Sequence, residues 1–331
     1  MIPIIKQRKI PFTISAVLFA TSVLLLLTLG LKPGIDFTGG SLVEVTFTAE
    51  RPAIQEVEEA LAPLELGEIK VQPAGEENMI LRMRFISEEE HQSVLGSLRD
   101  TFEVPGASED SLEEGSVVVE TEAGDVSVIS AIDNNVPRVI EERVETIGPS
   151  ISSHLRERAW QIGLAVVITI IVYIAYAFRK VSKPVKSWKF GITAIIALIH
   201  DVTIVMGVFS LLGHFYGVEI NIPFVVALLT ILGYSVNDTI VVFDRIRENL
   251  IRLGYSRFEE VVNKGVNETL VRSFNTSVTT LLVLFALFFF GGETIKFFAL
   301  ALIIGAAIGT YSSIFLASPL LVVWEKIGKR S

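Results

Sequence analysis

Six long apolar segments recur along the chain, separated by charged and turn-forming residues. Each has close to the ~20 residues that a helix needs to cross ~30 Å of hydrocarbon. Carboxylates interrupt only two of them, at Asp201 in the third segment and at Asp238 in the fourth. The pattern predicts six membrane-spanning helices, at residues 12–31, 160–178, 190–212, 220–242, 273–292 and 297–324.

The first segment follows three cations, Lys6, Arg8 and Lys9, as the apolar core of a signal peptide also does. Its apolar stretch is longer than that of a typical signal peptide, and no A-x-A cleavage site follows it. We therefore predict an uncleaved membrane span.

The polar stretch between the first two spans, residues 32–159, has the patterns of a compact α+β domain. Ser87 and Glu90 form a capping-box pair, which predicts the start of a helix. Strand-like and helix-like segments follow in the order βαββαβ, at residues 41–48, 52–61, 68–72, 79–86, 87–102 and 117–121. Residues 103–115 are acidic and turn-rich, and a further helix is predicted over 136–144. The predicted fold is a six-helix membrane protein with a ferredoxin-like extracytoplasmic domain between helices 1 and 2.

Lysine and arginine residues in the short connections indicate the orientation of the chain, because they favour the cytoplasmic side. One set of connections, together with both termini, carries 17 of them, whereas the opposite short loops carry only Lys296. This predicts cytoplasmic termini and four regions. They are residues 1–31 (N-terminus and first span), 32–159 (extracytoplasmic domain), 160–324 (spans two to six) and 325–331 (cytoplasmic C-terminus).

Composition supports a membrane protein and excludes several kinds of chemistry. Hydrophobic residues occupy 50% of the 331 positions, and the mean hydropathy is +0.55. The chain has no cysteine, and its four histidines lack metal-ligand spacing, so we expect no metal and no cofactor. Residues 32–159 hold 10 basic and 27 acidic side chains, net −17, which argues against a nucleic-acid partner.

Enzyme motifs are missing from the sequence as well. There is no GxSxG, HExxH, P-loop or dinucleotide-binding pattern, so we expect no enzyme activity. If the chain performs work, an ion gradient is a better candidate energy source than ATP.

Three ionisable residues within or beside the spans require an explanation, because charge is costly in hydrocarbon. Asp238 and Arg272 are predicted to lie at similar depth in neighbouring helices. They form either a structural ion pair that offsets its own desolvation or a proton relay whose charges separate in a conformational change. Asp201, ~18 Å into the third span, has the same two interpretations but no apparent partner. Its neighbour His200 is predicted to point about 100° away around the helix.

Small residues in two spans favour close packing of helices. They are Gly233, Ser235 and Asn237 in the fourth span, and the Gly305-x-x-x-Gly309 motif in the sixth. We expect packing within one bundle rather than a dimer interface. Residues 243–249 carry charges of both signs at apolar spacing. They predict an amphipathic helix at the cytoplasmic surface, which either anchors the bundle or binds a partner.

Four runs of the sequence resemble the signatures of the SecD/SecF family of protein-export subunits. The first is Gly34-Ile35-Asp36-Phe37-Thr38-Gly39-Gly40, directly after the first span. The longest is residues 233–248, which begins Gly-Tyr-Ser-Val-Asn-Asp and is typical of the SecF members. Residues 267–277 contain Leu-Val-Arg-Ser, and residues 198–201 are Leu-Ile-His-Asp. The resemblance covers essentially the whole chain; it departs from the family at 147–155, which lacks a usual glycine and glutamate.

The resemblance implies a subunit that pairs with SecD in a twelve-helix unit of the resistance-nodulation-division type. Such a unit lies in the lipid of the prokaryotic plasma membrane, associates with the SecYEG channel and YajC, and uses protons to promote preprotein export. It implies proton-pathway roles for Asp238 and Arg272, and we add Asp201 as a further candidate. The remaining motif residues are expected to have structural roles: Gly34, Asp36, Gly39, Gly40, Gly233 and Asn237.

Two other functions are compatible with the residues alone. One is half of a small-molecule or lipid exporter of the same superfamily. Such an exporter would be expected to have a large outer domain, and a single βαββαβ unit is small for that role. The other is a non-transporting scaffold of the channel assembly. The scaffold predicts full activity in neutral variants of Asp238 and Arg272.

Overall fold

The structure is a computed structural model that describes residues 1–48, 50–103, 116–120, 126–130, 139–177, 187–254 and 256–328. It divides into two compact units: Met1–Gly34 together with Glu157–Ser331, and Ile35–Arg156. The acidic segment predicted at 103–115 lies outside the described residues except for Glu103, and so do residues 178–186 of the basic loop after the second span.

Within the described residues, six helices are long and apolar enough to cross a membrane, which confirms the predicted number. The helices are α1 (Lys9–Thr28), α5 (Pro149–Ala177), α6 (Ser187–Tyr216), α7 (Ile222–Leu253), α8 (Phe258–Phe290) and α9 (Glu293–Ser312), which continues through a π-helical turn (Ser313–Ala317) into α10 (Ser318–Gly328). Several extend beyond the predicted apolar segments, because hydropathy detects only the apolar part of a helix. Residues 243–249 are therefore the end of α7 and not a separate surface helix.

Helices α7 and α9 approach each other closely where the sequence places glycines. A Cβ atom on Gly305 would collide with the side chain of Ile231, and one on Gly309 would lie 3.1 Å from the Cβ of Ser235. The predicted packing of this GxxxG motif within the bundle is confirmed. Gly233 behaves differently, because a Cβ there would meet nothing within 4 Å.

The N-terminal segment is held against the start of α8. Ile5 is fully buried, and its backbone N–H donates to Asn263 Oδ1 at 3.1 Å. Asn267 exchanges two hydrogen bonds with the backbone of Ile2, at 2.8 and 3.0 Å. Glu259 forms ion pairs of 2.7 Å with both Arg8 and Lys326. Residues near both termini thus meet at one end of the helical unit.

The second unit contains a four-stranded antiparallel sheet in the order β2-β3-β1-β6, with helices that follow β1 and β3. Its elements are α2 (Ile35–Thr38), β1 (Gly40–Phe47), α3 (Ile54–Leu61), β2 (Lys70–Ala74), β3 (Asn78–Met83), α4 (Glu88–Phe102) and β6 (Val139–Ile147). The core between the sheet and its helices includes Val43, Val45, Val57, Leu81 and Leu98. The order βαββαβ of the four-stranded sheet is that predicted from the sequence, but its last strand is β6 and not residues 117–121.

Two of the predicted elements in this unit differ from the structure. The strand predicted at 117–121 is present as β4 (Ser116–Glu120), but it pairs with β5 (Val126–Ser130) in a separate two-stranded sheet and is not the last strand of the four-stranded sheet. The helix predicted over 136–144 is instead the strand β6 from Val139 onward, paired with the edge of β1. Valine and isoleucine at 136, 139, 140 and 144 have helical spacing, but pairing with a free sheet edge outweighs local periodicity.

The capping box at the start of α4 is confirmed. The Ser87 hydroxyl accepts a hydrogen bond from the Glu90 N–H at 3.3 Å, and the Ser87 N–H donates to Glu90 Oε2 at 2.9 Å. Both bonds satisfy N–H groups that have no partner within the helix.

Candidate functional site

Asp238 lies on α7, where its half-buried carboxyl faces α8. Ser273 of α8 donates a hydrogen bond to Oδ1 at 2.6 Å. The second oxygen, Oδ2, is buried and has no hydrogen-bond partner among the described residues. At Oδ2 this carboxyl therefore lacks the donor that normally compensates a buried negative charge.

Close contact between α7 and α8 brings these two short side chains together. Gly265, two turns before Ser273, lets the backbone of Ile246 approach to within about 3 Å of where a Cβ would stand. Ser273 itself is only 1% exposed. Small residues at such positions allow helix backbones to approach.

Arg272 does not occupy the position that the sequence suggested. Its side chain is exposed on α8, and no carboxylate of the described residues lies within ion-pair distance of it. Because successive residues on a helix are ~100° apart, Arg272 and Ser273 cannot both face α7. The predicted Asp238–Arg272 ion pair is therefore absent from the described chain, and Ser273 contacts Asp238 instead.

Asp201 has no exposed surface and lies at the junction of α6, α7 and the end of α9. Its Oδ2 accepts hydrogen bonds from Ser235 at 2.6 Å and from Ser312 at 2.7 Å. His200 Nδ1 lies 2.9 Å from Oδ1. The prediction that His200 points away is wrong, because its imidazole bends back to the carboxyl of its neighbour.

A π-helical turn follows directly after Ser312. Ser313, its first residue, hydrogen-bonds to Thr239 Oγ1 at 2.9 Å, and both side chains are buried. The two consecutive serines thus both face the interior, a placement that a regular helix does not favour. Single π turns are frequent at functional sites. Sequence reasoning missed these serines, because hydroxyl residues in apolar helices are too common to single out.

Two glycines of the motif at residues 34–40 have backbone conformations that residues with a side chain rarely adopt. Gly39 and Gly40 have φ of +74° and +131°, and a Cβ on Gly40 would lie 2.7 Å from the Met83 carbonyl oxygen. Gly34 donates its N–H to the Ile220 carbonyl at 2.7 Å. Asp36 lies in the first turn of the short helix α2. Glycine is therefore required at Gly40 by geometry.

Two motif residues of α7, Gly233 and Asn237, are exposed on the helix surface. They lie four residues apart and so share one face. No group of three metal-ligating His, Cys, Asp or Glu side chains occurs in the part of the chain that the structure describes. The helical unit therefore contains two carboxyls, Asp201 and Asp238, each in contact with at least one hydroxyl that can donate or accept a hydrogen bond.

Comparisons with known proteins agree with these features. Residues 127–327 match the model of the protein export membrane protein SecD/SecF, C-terminal, and residues 24–50 match the SecD/SecF GG motif. Over 328 residues the chain is 41% identical to the protein translocase subunit SecF of Thermobaculum terrenum, covering 98% of this chain and 94% of that protein. It is 39% identical to the SecF of Desulfurispirillum indicum over 328 residues, covering 98% and 92%.

A solved structure is similar as well. It is the crystal structure of SecDF, a translocon-associated membrane protein from Thermus thermophilus, at 30% identity and a TM-score of 0.74. The match covers 97% of this chain but 38% of that longer one. With six spans, a glycine motif at the junction and identity over nearly its full length, this chain belongs to the SecD/SecF family of protein-export membrane proteins, as a SecF subunit of the protein translocase.

Proposed function

We propose that this subunit uses the proton-motive force, together with SecD, to promote preprotein translocation across a prokaryotic plasma membrane. The observation that carries the proposal is the Asp238 carboxyl, which lies inside a spanning helix with Oδ2 unpartnered among the described residues. A charge there is costly, and binding a proton removes it. One proton moved through 100 mV yields ~2.3 kcal/mol, which is available to bias a conformational equilibrium.

Asp201 is the second carboxyl of the proposed pathway. Its environment supports reversible proton binding, because the hydroxyls of Ser235 and Ser312 can donate to a carboxylate or accept from a carboxylic acid. His200, in contact with Oδ1, is a further group that can carry a proton.

Arg272 supports the association with SecD. A guanidinium exposed on a spanning helix is costly in lipid, and a partner that supplies an acid at this depth would compensate it. Gly233 and Asn237, exposed on the adjacent helix α7, would lie in the same interface. This chain matches 38% of the solved SecDF chain, and we infer that SecD corresponds to the remainder of that structure.

The proposed topology has both termini in the cytoplasm and residues 32–159 outside. The shared pairing of Arg8 and Lys326 with Glu259 supports placing residues near both termini on one side, and the lysine and arginine bias favours the cytoplasmic side. The four regions inferred from the sequence, with spans two to six in residues 160–324, are part of this proposal. Association with SecYEG and YajC is also part of the proposal.

The experiment measures export of a model preprotein into vesicles that carry this chain with SecD, with and without a proton gradient. Asp238→Asn should abolish the added benefit of the gradient and leave the gradient-independent rate unchanged. Asp244→Asn, on the same helix but ion-paired with Arg247, is the matched control and should respond like the wild type. Equal responses of all three proteins would instead favour the scaffold function.

A further inference from the structure

The hydroxyl of Ser273 is the one side-chain group that the described structure places in hydrogen-bond contact with Asp238. Ser273 is buried, whereas the neighbouring Arg272 is exposed. The contact therefore links α8 to the proposed proton-binding group through a residue to which the sequence assigned no role.

We propose that Ser273 is a positioning residue for Asp238, orienting its carboxyl and serving it in both protonation states. The inference rests on the proposed function, in which Asp238 binds and releases a proton. In the charged state Ser273 donates to a carboxylate oxygen. In the neutral state it still donates, now to the carbonyl oxygen of the acid.

Geometry assigns the two carboxyl oxygens different tasks. Oδ1 accepts from the Ser273 hydroxyl, whereas Oδ2 is buried and has no hydrogen-bond partner among the described residues. Proton binding forms one O–H bond at Oδ2 and neutralises the carboxylate, and no other covalent bond changes. Ser273 thus fixes which oxygen receives the proton, since the hydrogen bond to Oδ1 restricts rotation of the carboxyl.

A four-residue repeat along α8 explains why this position is available. Gly265, Thr269, Ser273 and Ser277 recur every four residues, are small or hydroxyl-bearing, and share the face toward α7. The glycine permits the close approach of Ile246 described above. An apolar residue at 273 would leave Oδ1 without a donor.

Charged groups are sparse around this contact. No described cation lies within ion-pair distance of Asp238, and Arg272, the residue before Ser273, is exposed. On α6, Asp201 is engaged by His200, Ser235 and Ser312. Within the described part of the chain, the hydrogen bond from Ser273 is therefore the main local stabilisation of a charged Asp238.

The test measures labelling of Asp238 by dicyclohexylcarbodiimide, which modifies protonated carboxyl groups in apolar surroundings, on the full chain with SecD in vesicles. Labelling at Asp238 is followed by peptide mass spectrometry between pH 5 and 9, and Asp238→Asn identifies the signal. Ser273→Ala should move the pH of half-maximal labelling upward by about one to two units, as expected for the loss of a hydrogen bond to a charged group.

Three further variants separate positioning from packing. Ser273→Thr keeps the hydroxyl and should restore the wild-type profile, while Ser273→Cys, a weaker donor, should shift it partway. The partial shift keeps the test available if Ser273→Ala does not fold. Ser277→Ala removes the partner of Tyr234 one turn away and should leave the profile unchanged.

Identical profiles for wild type and Ser273→Ala, or equal shifts in Ser273→Ala and Ser277→Ala, would overturn the inference. Failure of the proposed function has a different signature. In that case the labelling profile shifts with Ser273→Ala, while export by the wild type does not respond to the gradient.

Discussion

The Ser273 hydroxyl lies 2.6 Å from Asp238 Oδ1, and the guanidinium of the preceding residue, Arg272, is exposed on the helix surface. Two adjacent residues of one motif thus have different surroundings. Ser273 contacts the Asp238 carboxyl, whereas Arg272 lies on the exposed surface of α8. An acid and a base that are close in depth need not form a pair, because helix rotation decides which side chain points inward.

Loss of the Asp201 carboxyl should destabilise the helical unit. Asp201→Ala leaves the hydroxyls of Ser235 and Ser312 and the His200 imidazole without their shared partner, at about 1–3 kcal/mol for each group left unsatisfied. Thermal unfolding in detergent should show a large decrease in midpoint. Ser235→Ala should show a smaller one, and an Asp201→Ala protein as stable as the wild type would contradict the buried network.

Steric coupling is expected between α7 and α9. Gly305→Ala forces a Cβ against Ile231 and should cost about 1–3 kcal/mol through overpacking. Ile231→Ala leaves a cavity, at about 2–5 kcal/mol. The double variant should lose less than the sum of both, since the new methyl enters the space left by the isoleucine. Gly233→Ala, where space is open, is the control and should be neutral or slightly stabilising.

Substitution of Gly40 should destabilise the unit formed by Ile35–Arg156. Gly40→Ala places a Cβ 2.7 Å from the Met83 carbonyl oxygen at φ +131°, so strain and a backbone clash act together. We expect a loss of about 1–3 kcal/mol or more, measured as increased protease sensitivity of this unit on heating. Gly67→Ala has a similarly unfavourable φ of +80° but open space, and it should cost less. Equal losses would mean that the clash is relieved by backbone movement.

Acid should weaken the capping box of α4. Hydrogen bonds from the Arg84 side chain and the Ser87 backbone lower the pKa of Glu90 from 4.5 to about 2. Because the folded-state pKa is the lower one, the stabilisation by Glu90 is complete above pH ~4.5 and is lost as the pH falls toward 2. Thermal unfolding followed over this range should show the loss in the wild type.

Glu90→Gln should be less stable at neutral pH and should lack this part of the acid dependence. Glu89→Gln, in the same helical turn, is the control and should keep it, since the Arg84–Glu90 ion pair at 2.6 Å is intact. The same acid profile in all three proteins would show that Glu90 is not its source.

Local patterns were sufficient for much of this architecture. Hydropathy predicted six spanning helices, the Ser87–Glu90 pair predicted the start of α4, and the Gly305–Gly309 spacing predicted close packing. Each of these features depends on residues that lie close together in the sequence. The motif at 233–248 indicated the family for the same reason, since its residues are contiguous.

Tertiary structure decided the features that need a distant partner. Residues 139–147 have helical spacing but form a strand, because pairing with β1 satisfies a row of backbone groups that sequence periodicity does not represent. The sequence likewise predicted that Asp238 and Arg272 lie at similar depth. The orientation of α8 about its own axis decides that Ser273, and not Arg272, contacts Asp238. Spacing along a chain determines which residues share a face, and packing between elements determines what that face meets.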